Sequence, residues 1–264
     1  YLRRFQLIRV GQEALIYRVR KASVEFPQPL AASIVQYIRE RLEGKRPSVV
    51  PDIKSETGNW TFVATLRGQG RELAIAFSQD RNLQKSLEEL VVDLERLHRR
   101  RVEYNGFPPL KEHIDDLHLE IHRVIERAYI ENREDDFLAR FWELGVDGAF
   151  FLSQKKKKRG VAPGSFAYTR SLNRPEPFLK AVASHSRMPF RRPWREKGSW
   201  FEVFRTIHYA ELGDDRLVPL FRGFKMVEEE EVTIESVRKA VVLSGEWYLA
   251  NLQPDGSVVY KFWP

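Results

Sequence analysis

Trp60-Thr61-Phe62-Val63-Ala64-Thr65-Leu66-Arg67-Gly68-Gln69-Gly70-Arg71-Glu72-Leu73-Ala74-Ile75-Ala76-Phe77 is the stretch that decides the fold. Trp60, Phe62, Ala64 and Leu66 alternate with Thr61, Val63 and Thr65; past the glycines, Leu73, Ile75 and Phe77 alternate in the same way. A period of two marks a strand, and Gly68 and Gly70 suit the tight reversal between two of them. A helix follows at once. Leu83, Leu87, Leu90, Val91, Leu94 and Leu97 make one apolar stripe, Asn82 stands where an N-cap belongs, and Arg99-Arg100-Arg101 complements the negative end of the helix dipole.

Working outward, Phe5–Val10 and Ala14–Val19 are rich in β-formers and flank Gly11-Gln12, which reads as a strand pair. Leu30, Ile34, Val35, Ile38 and Leu42 recur at helical spacing before Gly44. Downstream of Phe107-Pro108-Pro109-Leu110, Leu119, Ile121, Val124, Ile125 and Ile130 form a β-rich run whose phase slips at Val124-Ile125, the mark of a bulge. Ala149–Leu152 and Gly160-Val161 suggest a hairpin with Lys155–Arg159 at its tip. Pro175 and Pro177 precede a helix bearing Phe178, Leu179, Val182 and Ala183, and Phe201–Tyr209 reads as a last strand. Beyond the acidic run Glu228–Glu231, a helix begins at about Thr233. The expected class is α+β, a mainly antiparallel mixed sheet flanked by helices with a C-terminal helix. The expected division is an N-terminal strand pair over 1–29, an α+β domain over 30–225 and a C-terminal helical segment over 226–264.

The 264 residues carry a net charge of +7, and aromatic residues make up 12%, enough apolar surface to exclude a disordered chain. No apolar run approaches the ~20 residues of a membrane-spanning helix. The absence of cysteine removes disulfides, thiolate metal sites and a thiol nucleophile. Tyr1 in place of a starting Met, and an abrupt end at Phe262-Trp263-Pro264, suggest part of a longer multidomain protein from which any secretory leader has been lost, so the sequence fits a secreted protein as well, with a cytoplasmic location slightly favoured.

The succession from the hairpin bearing Arg71-Glu72-Leu73, through Phe107-Pro108-Pro109-Leu110, Asp116-Leu117-His118-Leu119-Glu120-Ile121, Gly145-Val146-Asp147-Gly148, Arg159-Gly160-Val161 and Pro177-Phe178-Leu179 to Trp194 resembles the AMME chromosomal region candidate (AMMECR-like) family. The resemblance covers about Leu30 to Glu211 and implies a fold rather than a reaction. The family's Leu-Arg-Gly-Cys-Ile-Gly segment corresponds here to Leu73-Ala74-Ile75-Ala76-Phe77-Ser78, so Ala76 replaces the cysteine and neither glycine is kept. Separately, Trp247-Tyr248-Leu249-Ala250-Asn251-Leu252-Gln253-Pro254-Asp255-Gly256-Ser257 is similar to the opening repeat of α/α-toroid proteins, among them terpenoid cyclases and some carbohydrate-active enzymes.

Candidate chemistry is sparse. His118-Leu119-Glu120-Ile121-His122 has metal-ligand residue types, but on a strand the two histidines lie ~13 Å apart, so a solvated strand face is expected. Ser184-His185-Ser186 and Ser165 lack a nucleophile elbow. Gly68-Gln69-Gly70 joins two strands and is no phosphate loop, and Asn59-Trp60-Thr61 is a weak glycosylation match. Asp115-Asp116 and Asp214-Asp215 read as turn or cap residues. Charge is the stronger signal: Lys155, Lys156, Lys157, Lys158 and Arg159, then Arg191, Arg192 and Arg195 with Phe190 and Trp194 interleaved, supported by Arg99–Arg101, form candidate anion or nucleic-acid contacts.

No catalytic residue, cofactor or metal ligand is assigned from the sequence. The expected function is a non-catalytic recognition or scaffolding domain holding a protein partner or an adjacent domain beyond Pro264. One alternative is an enzyme domain of unassigned reaction with its cleft near the 61–77 hairpin and the loop after Gly148. The other is nucleic-acid or anionic-polymer binding through 155–159 and 191–195.

Overall fold

The structure, a computed structural model, describes residues 4–9, 15–20, 26–51, 59–68, 71–131, 133–153, 158–170, 172–188, 192–211, 216–221, 224–225, 232–250 and 252. The chain divides into two compact units, Tyr1–Phe224 and Lys225–Pro264.

The first unit opens with β1 (Arg4–Arg9) and β2 (Leu15–Arg20), then α1 (Gln28–Leu42), β3 (Trp60–Gly68), β4 (Arg71–Asp80) and α2 (Leu83–Asn105). After a one-turn helix α3 (Leu110–His113) and a 3-10 turn come β5 (His118–Ile130), α4 (Asp135–Phe141), β6 (Gly148–Ser153) and β7 (Lys158–Ala162). Short α5 (Phe166–Thr169), α6 (Pro175–His185), β8 (Trp200–Glu211), β9 (Leu217–Phe221) and the two-residue β10 (Phe224–Lys225) follow. In the second unit α7 spans Ile234–Ala250, and its Val237, Val241, Leu243 and Leu249 are exposed. The stretch from Gln253 onward lies outside the described residues. Among the described residues no helix is long and apolar enough to cross a membrane.

The fold is α+β, with an antiparallel sheet flanked by helices. Trp60 pairs with Asp80 and Ala64 with Ala76, so β3 and β4 are neighbours. β5 is the hub: one edge takes β3 through Ala64↔Ile121 and, farther along, β2 through Arg18↔Ala128, while the other takes β8 through His122↔His208. The register slips between Val124 and Glu126, the bulge that the broken alternation predicts. β8 in turn pairs with β6 and β9, and β6 with β7. β2 thus joins the main sheet, so the N-terminal strand pair is continuous with the domain that follows it. β9 is a further strand after Tyr209, and its Pro219 weakens the strand pattern in the sequence.

Two apolar clusters fix the layers. In one, Ile34 and Ile38 of α1 and Leu87, Leu90 and Leu94 of α2 pack on Phe62, Leu66, Leu119 and Ile121 of the sheet. In the other, Phe178, Leu179 and Val182 of α6 gather with Phe151, Phe166, Trp194 and Phe201. The Asn82 side chain accepts from the Lys85 amide at 2.9 Å, the N-cap expected of α2. The helix runs one turn past Arg99–Arg101 and stops at Gly106, whose φ of 69° suits glycine, just before Pro108-Pro109.

Candidate functional site

Period-two geometry places Thr65 and Arg67 on the same side of β3, and register sets Thr65 opposite Glu120, Val63 opposite His122 and His122 opposite His208. The other side, with Ala64, Leu66, Leu119 and Ile121, belongs to the α1/α2 core. A flat sheet would leave the polar side in water. Here the sheet curls until β7 approaches β4 and the Phe77 and Phe150 rings meet at 4.9 Å. Glu120, His122 and His208 are therefore buried, which corrects the expected solvated strand face; that His118–His122 forms a strand is as expected.

The buried charges are paired. Arg67 donates through Nε to Glu120 Oε1 at 2.6 Å and through a terminal nitrogen to Glu72 Oε1 at 2.9 Å; Arg170 of the α5 end donates to Glu72 Oε2 at 3.1 Å. Burial alone would raise the Glu120 carboxyl, but the Arg67 charge, with hydrogen bonds from His122 and Arg67, reverses this and holds it well below the usual carboxylate range. His122 Nε2 lies 3.3 Å from Glu120, and its ring stacks on His208 at 4.6 Å between centroids. Burial, then His122, push His208 down to about 3, so its ring is neutral. His208 Nε2 and Thr65 Oγ1 are buried without a hydrogen-bond partner. The cluster is enclosed, with its carboxylates already neutralised, and its chemistry is that of an internal strut.

The basic runs behave differently. Arg100 near the end of α2 and Arg187 just past α6 line one cleft with Leu73, Leu97, His185 and Ser186. Lys158 on β7 donates to the Arg187 carbonyl at 3.3 Å. Arg100, Lys158 and Arg187, far apart in sequence, thus come near one another, Arg100 and Arg187 in the cleft lining and Lys158 through its bond to the Arg187 carbonyl. The cleft measures about 40 Å3, room for one small polar group rather than an engulfed ligand. Arg187 holds a φ of 49°, and backbone donors of Ser186, Arg187 and Met188 satisfy the carbonyls of Val182, Ser184 and Ala183, so these carbonyls of the last turn of α6 are not left bare.

The remaining candidate cations are placed as follows. Arg159 pairs with Asp93 of α2 and lies 5.9 Å from the Phe77 ring. Arg192 pairs with Glu176 at the N-terminal end of α6, the opposite end from Arg187, and Arg195 pairs with Asp135 at 2.7 Å and Glu134 at 3.3 Å at the start of α4. Lys155, Lys156, Lys157 and Arg191 lie outside the described residues. Ala76 is 1% exposed in the core beneath α2. Among the described residues no group of three or more His, Cys, Asp or Glu side chains could hold a metal ion.

No protein-family model matches the sequence, and no curated protein matches it. Among solved structures, the crystal structure of uncharacterized protein PH0010 from Pyrococcus horikoshii matches with a TM-score of 0.51 at 16% identity, covering 74% of this chain and 96% of that one. At that identity the likeness is one of fold, and this chain shares its α+β architecture with the archaeal protein.

Proposed function

We propose that the Tyr1–Phe224 unit is a non-catalytic, AMMECR-like recognition domain that binds an acidic segment of a partner protein across its surface, one carboxylate seated at the cleft between the ends of α2 and α6. The observation that carries this reading is that Arg100 and Arg187, far apart in sequence, line one cleft, with Lys158 bonded to the Arg187 carbonyl beside it. The net charge of +7 favours approach of an acidic partner. Kinship with the AMMECR-like family is supported by the motif order from Leu30 to Glu211 and by the fold shared with the archaeal protein; the methyl group of Ala76 supports a role without thiol chemistry. The likeness of Trp247–Ser257 to a toroid repeat supports a scaffold role beside a second module.

The test is fluorescence anisotropy with a labelled polyglutamate peptide and, in parallel, a single-stranded oligonucleotide, from 50 to 300 mM salt. Polyglutamate should bind at low salt and weaken about tenfold or more in Arg100→Glu and in Arg187→Gly, the latter a change that the positive φ tolerates. Absence of binding at low salt, or binding indifferent to both substitutions, overturns the proposal. Tighter binding of the oligonucleotide moves the assignment to nucleic acid.

A further inference from the structure

His98 lies on the buried side of α2, 1% exposed, and His113 is the last residue of α3 and half-buried. Their Nε2 atoms are 3.3 Å apart, the ring centroids 5.0 Å apart, and the planes tilted by 41°. The Pro109 carbonyl stands 2.8 Å from His113 Nδ1 and can only accept, so in the neutral ring Nδ1 carries the proton. The lone pair of His113 Nε2 then points toward His98. A ring nitrogen tied to a backbone carbonyl, with the other left for a ligand, is how metal-binding histidines are oriented.

The separation suits an ion of tetrahedral preference. Two nitrogens ~2.0–2.1 Å from zinc and subtending a tetrahedral angle stand about 3.3–3.4 Å apart, whereas a square-planar corner brings them to about 2.9 Å. We propose that His98 and His113 form a two-histidine site for a divalent transition metal of tetrahedral preference, zinc foremost, with water in the two remaining positions. The ion enters from the His113 side once His98 carries its proton on Nδ1, replacing the hydrogen bond that otherwise links the two Nε2 atoms. The other close imidazole pair offers no such site: the His122 and His208 rings stack with planes 22° apart, and His122 Nε2 is turned to Glu120.

The test titrates the chelator-treated full chain with Co2+, whose tetrahedral complexes absorb strongly in the visible. One cobalt per chain should bind with such a band, and Zn2+ should bleach it. His113→Gln, a half-buried position whose circular dichroism spectrum reports whether folding is intact, should weaken cobalt binding more than about 100-fold, beyond the 10- to 100-fold usual for loss of an outer-shell partner. His185→Gln should leave it unchanged. No tetrahedral band at millimolar cobalt, equal binding by His113→Gln, or equal losses in both variants overturns the site.

Discussion

Acidification should weaken this fold before most of its carboxylates titrate, and His208 sets the size of the effect. Its ring is 6% exposed on β8, stacked on His122, with Glu120 on β5 and Arg67 on β3 close by. Burial, then the charges of His122 and Arg67, push its pKa down from 6.5 to about 3, against the pull of Glu120. The folded value lies below the unfolded one, so the stabilisation is present above about 6.5 and is lost as the pH falls toward about 3. At pH 4.5 about 99% of unfolded chains and about 3% of folded chains would carry this proton, and linkage converts the difference from pH 7 into roughly 3 kcal/mol. That is a large share of the roughly 5–15 kcal/mol typical of a domain. Urea unfolding followed by circular dichroism, at intervals from pH 7 to 4.5, measures it. His208→Gln keeps a neutral polar side chain that does not titrate, so its stability should fall by roughly 3 kcal/mol less over that window. Parallel lines for the two proteins would refute the reasoning.

Arg67→Met leaves Glu120 and Glu72 buried without their shared guanidinium, so urea midpoints at pH 7 should report a loss of about 3–5 kcal/mol. The loss should shrink when Glu120→Gln is added, because the orphaned charge is then gone. Asn82→Ala removes the bond to the Lys85 amide and should cost about 1 kcal/mol by thermal unfolding, with the cleft's peptide affinity unchanged.

The hairpin, α1, α2 and α6 could be read from the sequence because each carries its own local signal: strict alternation across Trp60–Phe77, an uninterrupted leucine stripe, a capping asparagine, a proline at the start of α6. β9 carries little such signal, being five residues with a proline among them, and α4 is seven residues long and gave no clear periodicity. The buried charges were harder still. Arg67, Glu120, His122 and His208 sit at alternate positions that look like a wet sheet face, and only the curl of the sheet encloses them. Charge runs were visible as runs, but the meeting of Arg100 with Arg187 depends on how α2 and α6 end beside β4. The closeness of His98 and His113 likewise belongs to the packing of α3 on α2, which no spacing rule along one element contains.

The central place of β5 has a cost in time. During synthesis it leaves the ribosome with β2 and β3 already made, yet the strand that covers its other edge, β8, begins about 70 residues later. At about 5–20 residues per second that edge stays open for roughly 4–14 s. A row of unmet amides and carbonyls is open to intermolecular pairing for that interval. Slowed translation between Ile130 and Trp200 should therefore lower the yield of soluble protein more than the same pause placed after Glu211.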